Sequence, residues 1–156
     1  MQGKTHAINF VCHGTICRSP MAEFLFKDML KKAGREREFI VVSSAVSDEE
    51  IYNGVGAPVY PPVKKLLAEK GISCEGKRAK KLVRADGEQY DLFLCMDDSN
   101  VARAKRIVGE QNAHKCKKLL SYANDSSDVA DPWYTRDFNE CYQDILRGLT
   151  ALLQSL

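Results

Sequence analysis

The sequence has no apolar run long enough to cross a lipid bilayer. The longest uncharged apolar stretch near its start runs only from Ala7 to Cys12, whereas a membrane helix needs about 20 residues. The start also lacks the basic flank, the long apolar region and the small-residue cleavage site of a secretory signal. We therefore expect a cytoplasmic protein with no membrane partner.

Paired metal-binding motifs are missing as well. The chain has no CxxC pair, and its three histidines (His6, His13 and His114) do not have the spacing of zinc ligands. Lysine and arginine are spread through the chain and leave a net charge of only +2, without the interleaved aromatic residues of a base-stacking surface. We expect no metal, no other cofactor and no nucleic-acid partner.

The six cysteines do not indicate a disulfide framework. A chain of 156 residues can bury a core without covalent cross-links, and nothing else in the sequence suggests secretion. Cys95 and Cys141 lie in apolar runs, which is typical of cysteines that act as small buried hydrophobic residues.

Short apolar runs alternate along the chain with longer helical patterns. The runs lie at 7–11, 39–44, 91–96 and about 116–121, and they have the continuous apolar character of strands covered on both faces of a parallel sheet. Apolar residues at helical spacing predict helices over 18–33, 63–70, 82–90, 99–108 and 138–156. This order is typical of βαβ units. It predicts one α/β domain over residues 1–156, a doubly wound parallel sheet with helices on both faces.

The segment from Cys12 to Arg18 is the clearest functional signal. In a doubly wound sheet ligands bind beyond the carboxyl ends of the strands, and Cys12 directly follows the first predicted strand. Because Arg18 opens the next predicted helix, the loop between them can turn its N–H groups toward an anion. Gly14 is expected to supply a backbone conformation that other residues avoid. The residues of this predicted phosphate-binding loop are His13, Gly14, Thr15, Ile16 and Cys17.

The spacing of Cys12 and Arg18 is weak evidence without this context. Cys141 and Arg147 have the same spacing. They lie within the predicted C-terminal helix, where backbone N–H groups are already bonded to carbonyl groups and cannot bind a ligand. The position between a strand and a helix therefore distinguishes the first pair from the second.

A cysteine in such a loop is well placed for nucleophilic catalysis. The helix N-terminus and the guanidinium of Arg18 favour the thiolate of Cys12, and the hydroxyl of Ser19 can donate a hydrogen bond to it. The thiolate can attack phosphorus and form a cysteinyl-phosphate intermediate. Arg18 and the loop N–H groups can stabilise the phosphoryl oxygens without a metal. These residues predict hydrolysis of a phosphate monoester.

The general acid for such a reaction must come from another part of the chain. Asp131 lies in a polar loop, 122–136, between the last predicted strand and the last predicted helix. An Asp-Pro pair alone indicates no more than a turn. Trp133 and Tyr134 follow it and could form apolar walls for an aromatic substrate. We therefore expect Asp131 to protonate the leaving oxygen.

With these residues, the chain resembles the low-molecular-weight protein tyrosine phosphatases over essentially its full length. The resemblance implies a four-stranded parallel sheet and hydrolysis of phosphotyrosine in proteins, or of small aryl phosphates, with inorganic phosphate as product. It implies Cys12 as nucleophile, Arg18 as phosphate ligand and Asp131 as general acid, with Ser19 supporting the thiolate. It also implies that Cys17 can form a reversible disulfide with oxidised Cys12. The motifs that carry the resemblance are 11–20, Ala22 and Glu23, Ser43, 95–97 with Asn100, and 131–134 with Phe138.

Three positions depart from the family pattern or vary within it. Thr15 stands where the family usually has an asparagine at positive φ, and a β-branched residue resists that conformation, so we expect a less ordered loop or slower catalysis. Arg136 stands where bacterial relatives often have glycine, so the acid loop is expected to move differently. Tyr52, in the variable segment 47–53, is a candidate wall residue.

Three other functions stay open at this point. Arsenate reductases share the scaffold but need two further cysteines close together, and Cys74, Cys95 and Cys116 are far apart along the chain. Protein-arginine phosphatases have a threonine at the position of Ile16, where a bulky aliphatic residue should favour an aromatic phosphate. A non-catalytic phosphate-binding module is compatible with Thr15. The sequence indicates neither the physiological substrate nor the oligomeric state.

Overall fold

The computed structural model describes residues 5–156. Its strands are β1 (His6–Cys12), β2 (Phe39–Ala45), β3 (Ile51–Tyr52), β4 (Val55–Gly56), β5 (Leu92–Cys95) and β6 (Cys116–Lys118). Its α-helices are α1 (Arg18–Lys32), α2 (Pro61–Glu69), α3 (Asp86–Gln89), α4 (Asp98–Val108), α5 (Pro132–Thr135) and α6 (Phe138–Ser155). Short 3₁₀ helices lie at Glu36–Glu38, Glu110–Lys115 and Leu119–Ala123.

The central sheet has four parallel strands in the order β2-β1-β5-β6, which confirms the predicted sheet. The chain passes from β1 to β2 on one side and later returns to β5 on the other side of β1. A crevice therefore forms at the carboxyl end of β1, where the strand order reverses, and such switch points are where this architecture binds ligands. Cys12 lies there, paired with Ala45 of β2.

Helices cover both faces of the sheet, as predicted. One face carries α1 and α6, and its core includes Phe10 of β1 and Phe26 of α1, whose ring centroids are 5.9 Å apart in an edge-to-face arrangement. The other face carries α4, with Val11 and Ala104 in its core. Adjacent residues of β1 thus pack into the two cores that lie on opposite faces of the sheet. Each fully buried aromatic side chain contributes roughly 1.5–3 kcal/mol to folding.

Two predicted elements are wrong in part because tertiary contacts override local pattern. The helix predicted over 82–90 forms only at α3, since Ala45 bonds to the backbone of Lys80 and Leu82 and holds that segment extended along β2. The strand predicted over 116–121 ends at Lys118, after which a 3₁₀ turn brings Leu119 against Gly148 of α6. The β3–β4 hairpin and α5 were not predicted at all.

No helix within residues 5–156 combines the length and the apolar character that crossing a membrane requires.

Candidate active site

A cavity of about 90 Å³ opens at the carboxyl end of β1. Most of its walls are residues that the sequence predicted for the site, and Glu49 and Glu50 are added to them. Ser19, Thr15 and Tyr52 contribute no lining to this cavity. The predicted residues that line it are Cys12, His13, Gly14, Ile16, Cys17, Arg18, Asp131, Trp133 and Tyr134.

Cys12, which lines the cavity, contacts Ser19. The Sγ of Cys12 lies 3.0 Å from the Oγ of Ser19, and both side chains are buried. Ser19 belongs to the first turn of α1, whose N–H groups have no partners within the helix. The serine hydroxyl and the N-terminal end of α1 therefore both lie against the Cys12 sulfur.

Arg18 is almost completely buried and fixed on one side. Its Nη1 donates to Asp97 Oδ2 and to the carbonyl oxygen of Val129, each at 2.9 Å. Its Nη2 lies 3.6 Å from Asp131 Oδ2. Burial works against the charge, but Cys12, Asp131 and Asp97 outweigh it and raise the pKa of Arg18. The guanidinium is therefore a permanent cation whose orientation is set before any ligand enters.

Asp97 is a residue that sequence reasoning did not select as part of the site. It caps α4, because its Oδ1 accepts a hydrogen bond from the N–H of Asn100 at 2.7 Å, while its Oδ2 holds Arg18. Its position just after β5, at the same sheet edge as Cys12, was the available signal.

Asp131 lines the cavity and caps α5. Its Oδ1 accepts from the N–H of Trp133 at 3.0 Å, which leaves Oδ2 toward Arg18. Trp133 lies against Tyr60 with ring centroids 5.0 Å apart, and Tyr134 is 82% exposed. Asp131 therefore lines the same cavity as two exposed aromatic side chains, with one carboxyl oxygen on the Trp133 N–H and the other facing Arg18.

Arg136 has a defined structural place in this wall. Its φ is 61°, in the region that glycine favours, and it ends α5. Its Nη1 donates to the hydroxyl of Tyr60 at 2.8 Å, and its guanidinium lies 5.8 Å from the centre of the Trp133 ring. The expected change in loop motion stays a prediction.

The backbone conformation predicted for Gly14 is wrong, and the structure shows a different constraint at this position. It is absent from the positive-φ residues of the described chain. A Cβ at this position would instead lie 2.9 Å from Cγ of Glu50, whose side chain crosses over the loop. Tyr52 donates to Glu50 Oε1 at 3.3 Å from the exposed side, so Glu50 stands between Tyr52 and the cavity.

His13 joins the loop to its surroundings. Its Nε2 lies 2.8 Å from Glu49 Oε2, and its Nδ1 lies 3.5 Å from Nη1 of Arg103.

Cys17 is buried, and burial, with smaller effects of Cys141, Cys12 and Asp131, raises its pKa against the opposing effect of Arg18. Cys17 is therefore a thiol in the resting protein. Its disulfide with Cys12 stays a prediction.

Thr15 adopts the backbone conformation that its side chain was expected to resist. Its φ is 58°, it is 1% exposed, and its Oγ1 has no hydrogen-bond partner within the described part of the chain. A non-glycine residue in this region costs roughly 1–2 kcal/mol, and β-branching adds to the strain.

Thr15→Asn is expected to stabilise the protein by about 1 kcal/mol, which raises Tm by about 2–4 °C. Asparagine tolerates positive φ better than threonine does, and its amide can form local hydrogen bonds that the threonine hydroxyl lacks. Thermal unfolding measures the change. Thr150→Asn, at an exposed position of α6, serves as the control and should give no gain. An unchanged or lower Tm for Thr15→Asn would contradict the strain at residue 15.

Comparisons with known proteins agree on one family. The model of the low molecular weight phosphotyrosine protein phosphatases matches residues 7–156. A low molecular weight protein-tyrosine-phosphatase of Bacillus subtilis, YfkJ, is 36% identical over 152 residues, 96% of this chain and 95% of the relative. The corresponding enzyme of Sus scrofa is 32% identical, covering 97% and 96%. The crystal structure of YfkJ superposes with a TM-score of 0.91 at 34% identity, over 99% of this chain and 96% of the other.

Proposed function

Because the chain belongs to the low molecular weight phosphotyrosine protein phosphatase family, and so is a protein tyrosine phosphatase, we propose that it acts through a cysteinyl-phosphate intermediate on Cys12. The observation that supports this most directly is the convergence of three groups on one cavity. Cys12, Arg18 and Asp131 all line it.

Binding begins with the phosphate dianion of the substrate. The N–H groups of the loop and the N-terminus of α1 supply positive potential, and the side of Arg18 that Asp97 leaves free can hold two phosphoryl oxygens. Since Asp97 and Val129 already fix the orientation of the guanidinium, the Arg18 side chain loses little conformational entropy when phosphate binds. Asp97 is therefore a positioning residue for Arg18.

The first chemical step transfers the phosphoryl group to the enzyme. The Cys12 thiolate attacks phosphorus, a sulfur–phosphorus bond forms, and the bond to the tyrosyl oxygen breaks. Asp131, in its protonated form, gives its proton to that oxygen, so the product leaves as a neutral phenol. Trp133 and Tyr134 contact the aromatic ring.

The second step regenerates the enzyme. The Asp131 carboxylate takes a proton from water, and the water oxygen attacks phosphorus as the sulfur–phosphorus bond breaks. Inorganic phosphate leaves, and Cys12 returns as a thiolate supported by Ser19. Cys17 stays out of this cycle as a neutral thiol.

The range of partners follows from the same chemistry. Phosphotyrosine-containing proteins are the substrate class of the family. We propose that small aryl phosphates are also hydrolysed, because the cavity needs only a phosphate and an aromatic ring. A single catalytic domain over residues 1–156, a cytoplasmic location and the lack of a nucleic-acid partner stay predictions.

Phosphotyrosine peptides are expected to be hydrolysed at least about tenfold faster, in kcat/KM, than the same peptides carrying phosphoarginine. Ile16 lines the cavity and gives the leaving group an apolar surface. Initial rates of phosphate release on the two peptides measure the preference.

Ile16→Thr is the matched variant and should move the ratio toward phosphoarginine. A wild-type enzyme that prefers phosphoarginine, or that reduces arsenate with thioredoxin, would overturn the proposed substrate. A protein that binds phosphate but hydrolyses neither peptide would be a binding module.

A further inference from the structure

Lys118 connects the end of β6 to the loop that carries Asp131. Its Nζ donates to the carbonyl oxygen of Ser126 and, at 3.0 Å, to Asp128 Oδ1. The same Nζ lies 3.1 Å from Oδ1 of Asp98 in the first turn of α4. One ammonium group therefore joins the sheet, α4 and the acid loop.

The loop is fastened at neighbouring points as well. The N–H of Asp98 donates to Asp128 Oδ1 at 3.1 Å. Val129 donates its N–H to the carbonyl oxygen of Met96 at 2.8 Å and accepts from Arg18 through its own carbonyl. Only Ala130 separates Val129 from Asp131. The position of residues 126–129 therefore determines where the backbone of Asp131 lies, and with it the carboxyl group.

Lys118 differs from the lysine of an ordinary exposed ion pair in its burial and in the two carboxylates that it contacts. Its side chain is 13% exposed, while those of Asp98 and Asp128 are 81% and 46% exposed. Burial lowers the pKa of Lys118, but hydrogen bonds to Asp128 and Asp98 outweigh it and raise that pKa. Without the ammonium the two carboxylates repel each other, and the repulsion moves Asp128, and the loop with it, away from α4.

We propose that Lys118 is a positioning residue for the general acid, holding residues 126–129 so that the Asp131 carboxyl reaches the leaving oxygen. This inference rests on the proposed role of Asp131. Lys118 contacts neither substrate nor the reacting atoms, and its effect on catalysis passes through Asp131.

Lys118→Met tests this with two substrates that differ in their need for an acid. Phenyl phosphate releases a basic phenolate and depends on protonation, whereas p-nitrophenyl phosphate releases a stabilised anion and depends on it less. The variant should lower kcat/KM about tenfold for phenyl phosphate and less than about threefold for p-nitrophenyl phosphate. A general loss of structure would lower both equally, and that result would overturn the proposal.

A double variant separates positioning from an independent effect. If Lys118 acts through Asp131, Lys118→Met should lower kcat/KM for phenyl phosphate by less than about twofold in an Asp131→Asn background. If the double variant instead loses kcat/KM by the product of the two single losses, the inference is contradicted.

Two further variants complete the design. Lys118→Arg keeps the cation between the two carboxylates and should retain most of the phenyl phosphate activity. Lys117→Met removes the neighbouring exposed lysine of β6 and should leave both substrates unaffected. A wild-type protein inactive on both esters would refute the proposed function, whereas an active protein insensitive to Lys118→Met would refute only the role of Lys118.

Discussion

Cys12→Ser is expected to abolish turnover, with kcat lowered about 10⁴-fold or more. Serine at this position keeps a hydroxyl within reach of Ser19, but that hydroxyl does not ionise in this environment and cannot displace the tyrosyl oxygen. Because Arg18 and the loop N–H groups remain, the variant should still bind inorganic phosphate. Steady-state phosphate release and calorimetric titration measure the two properties separately.

The chain offers its own control for this variant. Cys141 has the same six-residue offset from Arg147 that Cys12 has from Arg18, but it lies within α6, where backbone N–H groups are bonded within the helix, and its side chain is buried in the core. Cys141→Ala should therefore keep its activity while losing a little stability through the smaller side chain. Substantial turnover by Cys12→Ser, or inactivity of folded Cys141→Ala, would show that the nucleophile lies elsewhere.

Asp131→Asn is expected to lower kcat about 10²- to 10³-fold on phosphotyrosine. Asparagine can still accept the N–H of Trp133 and cap α5, so the fold of the loop should survive. It cannot donate a carboxylic proton to the leaving oxygen or take one from water. The loss should therefore appear in kcat, with phosphate affinity retained, and steady-state rates with calorimetric titration of phosphate measure the two.

Asp48→Asn is the matched control, because Asp48 is an exposed acid near the same cavity that does not line it. Its effect should stay below about twofold. Equal losses in the two variants would indicate a general effect of negative charge near the cavity, and Asp131 would then have no special role as proton donor.

The parts of this protein that could be predicted from sequence are those whose causes are local. Cys12 and Arg18 are joined by a short loop between a strand and a helix, so their chemistry is visible in one stretch of chain. Asp97 lies in the 95–97 motif directly after a predicted strand, but its contact with Arg18, like that of Lys118 with Asp128, forms only through the fold and could not be predicted in the same way.

The same distinction explains the errors. Gly14 was predicted to supply an unusual backbone conformation, but the constraint there is the nearby Glu50 side chain, which no local pattern contains. Thr15 was recognised as unsuited to positive φ, yet the loop around it holds it there.

The sheet order has a consequence for how activity is lost on warming. β1 is hydrogen-bonded to β2 on one side and β5 on the other, so amide protons in the strand that ends at Cys12 exchange with solvent only when the whole sheet opens. The segment before Asp131 has no regular secondary structure and is held by the contacts of Lys118, Asp98 and Val129, so we expect it to open at a lower free energy than the sheet. We therefore expect partial melting to displace Asp131 before it disturbs Cys12, so that a warmed protein should still bind inorganic phosphate at temperatures where its turnover has already declined.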